Sequence, residues 1–384
     1  MTKARKGRRL ECLDGVRGLM AVYVMLSHMA PFAFVPAALA WLPGLFSHGG
    51  AAVDVFFVLS GLVILRSLEA FSHKTRPFLI ARAARIFPVF LPVFFLAVAL
   101  QPLDPGFSAM PWIAPNSPAR DILGGGWPAT AWPEILAHLT MAHGLFPDAI
   151  LPNAWVSFLG AAWSLSTEWQ FYLVALLLAG RVPNKFLLAW VFLALGAAGF
   201  AWAVWAPEGW TFSRAFLPNK AQYFALGIAS AALVARGRAT LPAYLAVLAA
   251  TLLLSAAQGG TGKLAAPLVW SVFLAAELGV LPPLAAILRG RILLALGAMS
   301  YPLYLVNEPL QKALGALLAA LAGGDEKLFT VLWIPGAIML PVAAAWWLHA
   351  RIEKPALRWG RALQMGDLGK EGQGSALDPL RASP

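Results

Sequence analysis

Arg17 and His28 are separated by ten residues in the segment LDGVRGLMAVYVMLSHMA. Eleven steps of about 100° make roughly three helical turns, so both side chains share one face, about 16 Å apart along the axis. A neutral imidazole buried in an apolar helix can accept the proton of a hydroxyl that attacks a carbonyl. Asp14, three residues before Arg17, is spaced to pair with its guanidinium. A structural hydrogen bond from His28 to a neighbouring helix is the alternative role.

Other polar residues sit in similarly apolar surroundings. Glu168 lies about one turn into WSLSTEWQFYLVALLLAG, where an unpaired anion is expensive and must pair or take up a proton; Arg17 and His28 are candidate partners. Arg82 and Arg85 are neighbours on one helical turn of ARAARIFPVF, and paired guanidiniums can clamp phosphate oxygens by forked hydrogen bonds. Positive anchoring at a membrane edge is the simpler role for both. GGAAVDVFFVLSGLVI holds Asp54, read as a solvated carboxylate at the end of a helix. It also holds Ser60 and Gly61, which suit close helix packing. In GAMSYPLYLVNEPLQKAL, Tyr301, Tyr304 and Asn307 form a polar stripe at helical spacing, next to Glu308. Such a stripe lines a cavity or bonds to another helix. Glu353 and Arg358, in HARIEKPALRWGR, read as interfacial charge.

The elements that position these residues follow from composition. Of 384 residues, 60% are hydrophobic and 12% charged, against roughly 45–50% and about 25% in soluble domains. The solvent is therefore lipid, and the class is an all-α polytopic transmembrane bundle. About ten spans are expected, near 16–35, 53–71, 87–101, 163–180, 186–206, 221–235, 241–257, 264–287, 292–321 and 329–350. The apolar stretch 135–150 contains two His and a Pro and reads as re-entrant or interfacial.

Charge tests that assignment. With both termini in the cytoplasm, 23 of the 29 Lys and Arg fall on the inner side, five on the outer side, and Lys312 inside a span. This is the positive-inside pattern. Counting 135–150 as a span would destroy it. The net charge of +11 thus reports topology in a cytoplasmic membrane and argues against a nucleic-acid partner. The basic start reads as a retained tail, not a cleaved signal. The single cysteine, Cys12, excludes an intramolecular disulfide and a Cys-based metal cluster, and no metal is expected. Residues 1–361 form the expected membrane domain, and 362–384 read as a disordered cytoplasmic tail.

Taken together and in order, LDGVRG with Arg-x10-His, VDVFFVLSGLVI, Arg-x-x-Arg-Ile-Phe-Pro, WSLSTEWQFYL, YFALGI, SYPLYL and IEKPALR resemble the membrane-bound acyltransferase-3 family of bacterial O-acyltransferases. The motifs run from Leu13 to Arg358. The resemblance implies ten spans and transfer of an acyl group, often acetyl, from acyl-CoA to a hydroxyl, commonly on an envelope or secreted carbohydrate. It implies His28 as catalytic residue with Arg17 as its partner, Arg82 and Arg85 on the CoA phosphates, and Glu168 and Tyr301 in the reaction cavity. Asp54, Ser60, Tyr304 and Asn307 join the substrate-contacting set. Two departures stand out: Glu168 is followed by Trp169 where relatives often have a second acid, and Asn307 replaces a frequent His, which speaks against a His relay between the first and ninth spans. The residues after Arg361 are too few for the extra hydrolase-like domain of some relatives, so donor handling and transfer are expected within the membrane domain. His28 acts as general base or through an acyl-imidazole; both routes stay open.

A rival class is a transporter or flippase of a lipid-linked glycan, with Glu168, His28 and Arg17 as a proton relay. A non-catalytic scaffold is a third. The absence of an internal repeat at a fixed period counts against the transporter.

Overall fold

The computed structural model describes residues 10–117, 120, 126–182, 184–259 and 262–374. The basic segment 1–9 and the last stretch of the expected tail, 375–384, lie outside the described residues. Among the described residues there is no strand, and every expected span falls on helix. The helices are α1 (Glu11–Met29), α2 (Gly49–Ala70), α3 (Thr75–Ala99), the short α4 (Ala131–Leu139), α5 (Trp163–Ala179), α6 (Lys185–Trp205), α7 (Ala221–Arg236), α8 (Leu241–Ala257), α9 (Gly262–Glu277), α10 (Pro282–Leu288), α11 (Arg291–Ala298), α12 (Ser300–Ala322), α13 (Glu326–Leu348) and α14 (Lys354–Gly374).

Among the described residues, five helical stretches are long and apolar enough to cross a membrane: Ala37–Ala70, Thr75–Ala99, Lys185–Trp205, Leu217–Ala257 and Glu326–Gln364. The pair α9 and α10, bent by 95°, makes a sixth. Helices α1 and α12 have the length, with 19 and 23 residues. Their apolarity is lowered by Asp14, Arg17 and His28 on one and by Asn307, Glu308 and Lys312 on the other. On α1 and α12 the candidate chemistry itself is what lowers the apolarity. Helix α5, at 17 residues, is short.

Three expected boundaries shift. Arg82 and Arg85, assigned to the connection before the third span, lie inside the continuous helix α3. The expected span 292–321 is divided at Met299 into α11 and α12. Helix α14 runs on to Gly374, through the start of the stretch expected as tail. The segment 135–150 is not a span: α4 stops at Leu139, and a short 3-10 turn follows at His143–Leu145.

Small residues set the helix distances around the polar groups. A Cβ on Gly227 of α7 would lie 2.0 Å from the Val58 carbonyl oxygen of α2, two residues before Ser60. A Cβ on Gly297 of α11 would lie 2.0 Å from the Asp14 carbonyl oxygen of α1. Only glycine allows backbones to meet this closely. These contacts fix the rotation of α1 and α2, and with it the direction of Arg17 and Ser60. Helix α14 packs on α3, with Gly360 over Ala84.

Candidate active site

Three cavities adjoin along the bundle. The first, about 580 Å³, lies where α14 meets α1 and α3, and Asp14, Arg17, Arg82, Arg85 and Arg361 line it. It shares Arg17, Arg82 and Arg85 with a neck of about 120 Å³. The neck shares Val53 and Tyr304 with a chamber of about 1250 Å³ that contains His28. Arg17 and His28, on one face of α1 as their spacing requires, therefore line the first and last of three adjoining cavities.

His28 has a defined hydrogen-bond partner. Its Nδ1 lies 2.8 Å from Asn307 Oδ1. The amide of Asn307 is oriented by its own Nδ2, which donates to the carbonyls of Leu303 (2.9 Å) and Tyr304 (2.7 Å). Oδ1 must then accept, so Nδ1 of His28 carries the proton and Nε2 keeps a lone pair. An imidazole held in this tautomer is prepared to take a proton at Nε2. Asn307 thereby selects the tautomer of His28.

The carboxylate nearest this pair is Glu308. It is 6% exposed and accepts hydrogen bonds from the backbone N–H groups of Gly160 (2.8 Å) and Ala161 (2.9 Å). The turn Gly160–Ala162 that supplies them leads directly into α5. Tyr304 closes the same corner: its hydroxyl donates to the Ala161 carbonyl (2.9 Å) and lies 3.0 Å from Ser164 Oγ. Glu168, expected beside Arg17 or His28, lines the neck with Arg17 and Ser60, and its carboxylate accepts from the Tyr172 hydroxyl at 3.0 Å. Of the two partners expected for Glu168, Arg17 lines the same cavity, whereas His28 lies in the next one and is bonded to Asn307. The rotation of α5 and α12 decides this, and neither is visible along one helix.

At the opposite end, Arg17 pairs with Asp14 at 3.2 Å, as their spacing implies. The Arg82 guanidinium donates to Ser67 Oγ at 3.3 Å and lies over the rings of Phe78 and Tyr172. Its buried Nε has no hydrogen-bond partner among the described residues. Arg85 forms an ion pair with Glu353 and lies over the ring of Tyr301, whose hydroxyl donates to the Ile86 carbonyl at 2.6 Å. Glu353 is therefore not interfacial charge. It is 1% exposed and also holds His349 Nδ1 at 2.6 Å. Of the two arginines read as phosphate ligands, Arg82 has the freer guanidinium.

Asp54 departs from its reading as a solvated carboxylate. It is 3% exposed, accepts from Lys220 Nζ at 2.7 Å, and lies in a separate side chamber of about 700 Å³. Ser60, Tyr301 and Tyr304 line the neck, and Tyr304 reaches the His28 chamber as well. Glu308, Glu353 and Arg214 were not singled out as site residues. Glu308 gave a signal, a carboxylate in an apolar helix beside Asn307, but its partners are backbone groups that no motif reveals.

A helical membrane bundle with a half-buried, tautomer-fixed histidine facing an internal cavity, and clustered arginines at a neighbouring one, is the framework of a multi-pass membrane enzyme. The chain belongs to the acyltransferase family described as "Acyltransferase domain", whose model matches residues 10–350. It is similar to acyltransferase MdmB of Streptomyces mycarofaciens, 29% identical over 392 residues, covering 91% of this chain and 92% of that protein. It is also similar to the putative membrane-bound transacylase BcsY of Komagataeibacter xylinus, 29% identical over 217 residues, covering 51% of this chain and 45% of that protein. No solved structure matches the chain. The protein is an acyltransferase, and the transporter reading gives way to that assignment.

Proposed function

We propose that this enzyme is an O-acyltransferase of the cytoplasmic membrane. It takes an acyl group, acetyl by preference, from acyl-CoA and places it on a hydroxyl of a carbohydrate or other envelope acceptor. Ten spans with both termini in the cytoplasm put the Arg17 end inside and the His28 chamber toward the outer face, as the distribution of Lys and Arg supports.

The observation that carries the reading is the row of adjoining cavities, each sharing wall residues with the next, from the arginine cluster to His28. The mouth has the cationic lining that a CoA nucleotide requires: Arg82 and Arg85 hold phosphate oxygens, and Arg17 guards the entry to the neck. The neck, at about 120 Å³, admits a slender thioester arm with a short acyl group and excludes the nucleotide. Its mixed wall of Ser60, Glu168, Tyr301 and Tyr304 lets the amides of such an arm find partners. The acceptor hydroxyl approaches from the larger chamber. As its oxygen forms the new C–O bond to the thioester carbonyl, its proton moves to Nε2 of His28. The C–S bond breaks, and the proton passes on to the thiolate. The products are the ester and CoA thiol. Asn307 accepts from Nδ1 throughout and stabilises the imidazolium that forms transiently. Acyl transfer through Nε2 as nucleophile would use the same lone pair.

Purified protein incubated with radiolabelled acetyl-CoA and a panel of hydroxyl acceptors tests this. Acceptor-dependent release of CoA thiol with label in an ester is the expected result. The H28A variant should insert and elute as the wild type does and lose about 10²-fold or more of the rate. Full transfer by H28A would reject the assignment.

A further inference from the structure

The side chamber of about 700 Å³ opens from the His28 chamber; Ser47, Gly50, Trp163 and Arg214 belong to the walls of both. Its charge is one-sided. Arg214, Lys220 and Lys263 line it, against the single carboxylate of Asp54. Asp54 is engaged by Lys220. Among the described residues no carboxylate pairs with Arg214 or Lys263; Lys263 Nζ donates to the neutral carbonyl of Gln258 at 2.6 Å. Helices α2, α7 and α9 all begin at this chamber, adding the positive ends of three helix dipoles to the cations. Cations gathered in a cavity without matching acids raise the energy of the empty protein, and an anion relieves it.

The wall shared with the His28 chamber is aromatic. The Arg214 guanidinium lies 4.9 Å from the ring centroid of Trp155 and 5.8 Å from that of Trp163, while Lys220 Nζ lies 5.5 Å from Trp163. Stacking on indole holds the Arg214 fork in place without using its hydrogen-bond donors. Trp155, half-buried, and the more deeply buried Trp163 line the same space as His28 and give it an aromatic wall for the C–H face of a pyranose.

We propose that the acceptor is an anionic sugar. Its carboxylate or phosphate seats in the side chamber on Arg214 and Lys263, its ring lies against Trp155 and Trp163, and the hydroxyl to be acylated faces His28. This deepens the proposed O-acyltransferase reading and rests on it. The separation between anion and hydroxyl then selects the position that is acylated.

The test reads binding without acyl donor, so it stands apart from turnover. Methyl β-D-glucuronide, glucose 1-phosphate and methyl β-D-glucoside are titrated into the purified full-length protein by calorimetry at two salt concentrations. At least one anionic sugar should bind about tenfold or more tighter than the neutral glucoside, and added salt should weaken that preference. The stronger of the two identifies carboxylate or phosphate as the anion. R214Q and K263Q should each lose most of the preference, the double variant all of it, and R214K should keep part of it because it retains charge without the fork. Arg214 is solvent-exposed, so its replacement leaves folding intact, as size-exclusion profiles will check. Equal binding of anionic and neutral sugars, no binding of either anionic sugar, or a preference that survives the double variant would overturn the proposal. Acyl transfer accompanied by indifference to anions sinks this inference alone; selective binding without any transfer sinks the O-acyltransferase reading and leaves the anion site standing.

Discussion

Replacing Asn307 by leucine tests the central contact. Leucine has the branching and heavy-atom count of asparagine but no acceptor, so Nδ1–H of His28 loses the partner now 2.8 Å away. A buried donor left unsatisfied costs about 1–3 kcal/mol. With leucine either tautomer leaves Nδ1 unsatisfied, so the wild-type preference for the tautomer protonated at Nδ1, the one with a lone pair facing the chamber, is lost. The imidazolium that forms during transfer also loses its acceptor; a hydrogen bond to a charged group is worth about 1.5–3 kcal/mol, equivalent to about 10- to 150-fold. The turnover number should fall by this factor. KM for acetyl-CoA should stay unchanged, since the arginine mouth and the neck are lined by other residues. Initial rates of thiol release, with folding checked by circular dichroism, measure both. The decisive comparison is the double variant. If Asn307 acts only by positioning His28, N307L adds nothing to the loss in H28A, and the two effects are strongly non-additive. A wild-type turnover number in N307L, or a loss that multiplies with that of H28A, would refute the tautomer argument.

Three further outcomes follow from the same geometry. R82A should raise KM for acetyl-CoA by about tenfold or more, the loss of one charge-assisted contact to phosphate, and leave KM for acetyl-pantetheine, which lacks the nucleotide, unaltered in matched initial-rate assays. E353Q breaks the ion pair of Arg85 with a fully buried carboxylate; since Arg85 keeps 31% exposure, the loss is about 2–3 kcal/mol, below the about 3–5 of a wholly buried pair, and appears as a lower unfolding temperature followed by tryptophan fluorescence. His138, in the short α4 outside the candidate spans, is pushed down to about 4 by burial; the unfolded chain therefore binds more protons between about pH 6.5 and 4, so the contribution of His138 to stability is fully present above 6.5 and declines by about 3 kcal/mol as pH falls to 4, a slope that H138N should reduce, but not abolish because His143 is lowered in the same way, in thermal unfolding across pH.

How much of this was legible depended on the range of each interaction. Pairings within one helix follow from spacing, and Arg17 with Asp14 is the example: three residues apart on α1, bonded as expected. The shared face of Arg17 and His28 is legible for the same reason, and so is the stripe of Tyr301, Tyr304 and Asn307 on α12. The ten apolar stretches were readable as helices because lipid forces the backbone to bond within itself. Contacts between helices were not readable, because they depend on rotations set by close approaches such as Gly227 on Val58 and Gly297 on Asp14. Glu353 looked like interfacial charge until the packing of α14 on α3 brought Arg85 against it.

The two glutamates show why burial cost alone does not name a partner. Both Glu168 and Glu308 had to be satisfied, since an isolated anion in an apolar helix is too costly to persist. That requirement is met in two unlike ways. Glu168 uses a side chain of its own helix, Tyr172 one turn later, a partner that spacing could have suggested. Glu308 uses the N–H groups of Gly160 and Ala161, and every residue except proline has an N–H, so sequence carries no mark of the pairing. What selects these two is the absence of bulk: Glu308 oxygens lie 3.0 and 3.1 Å from where a Cβ of Gly160 would stand. A side chain at Gly160 would press on the carboxylate and shift α12, which carries Asn307 one residue away. The position of the His28 acceptor thus rests on a glycine in a turn on the far side of the chamber, and the geometry of the imidazole is set as much by backbone as by the residues that perform chemistry.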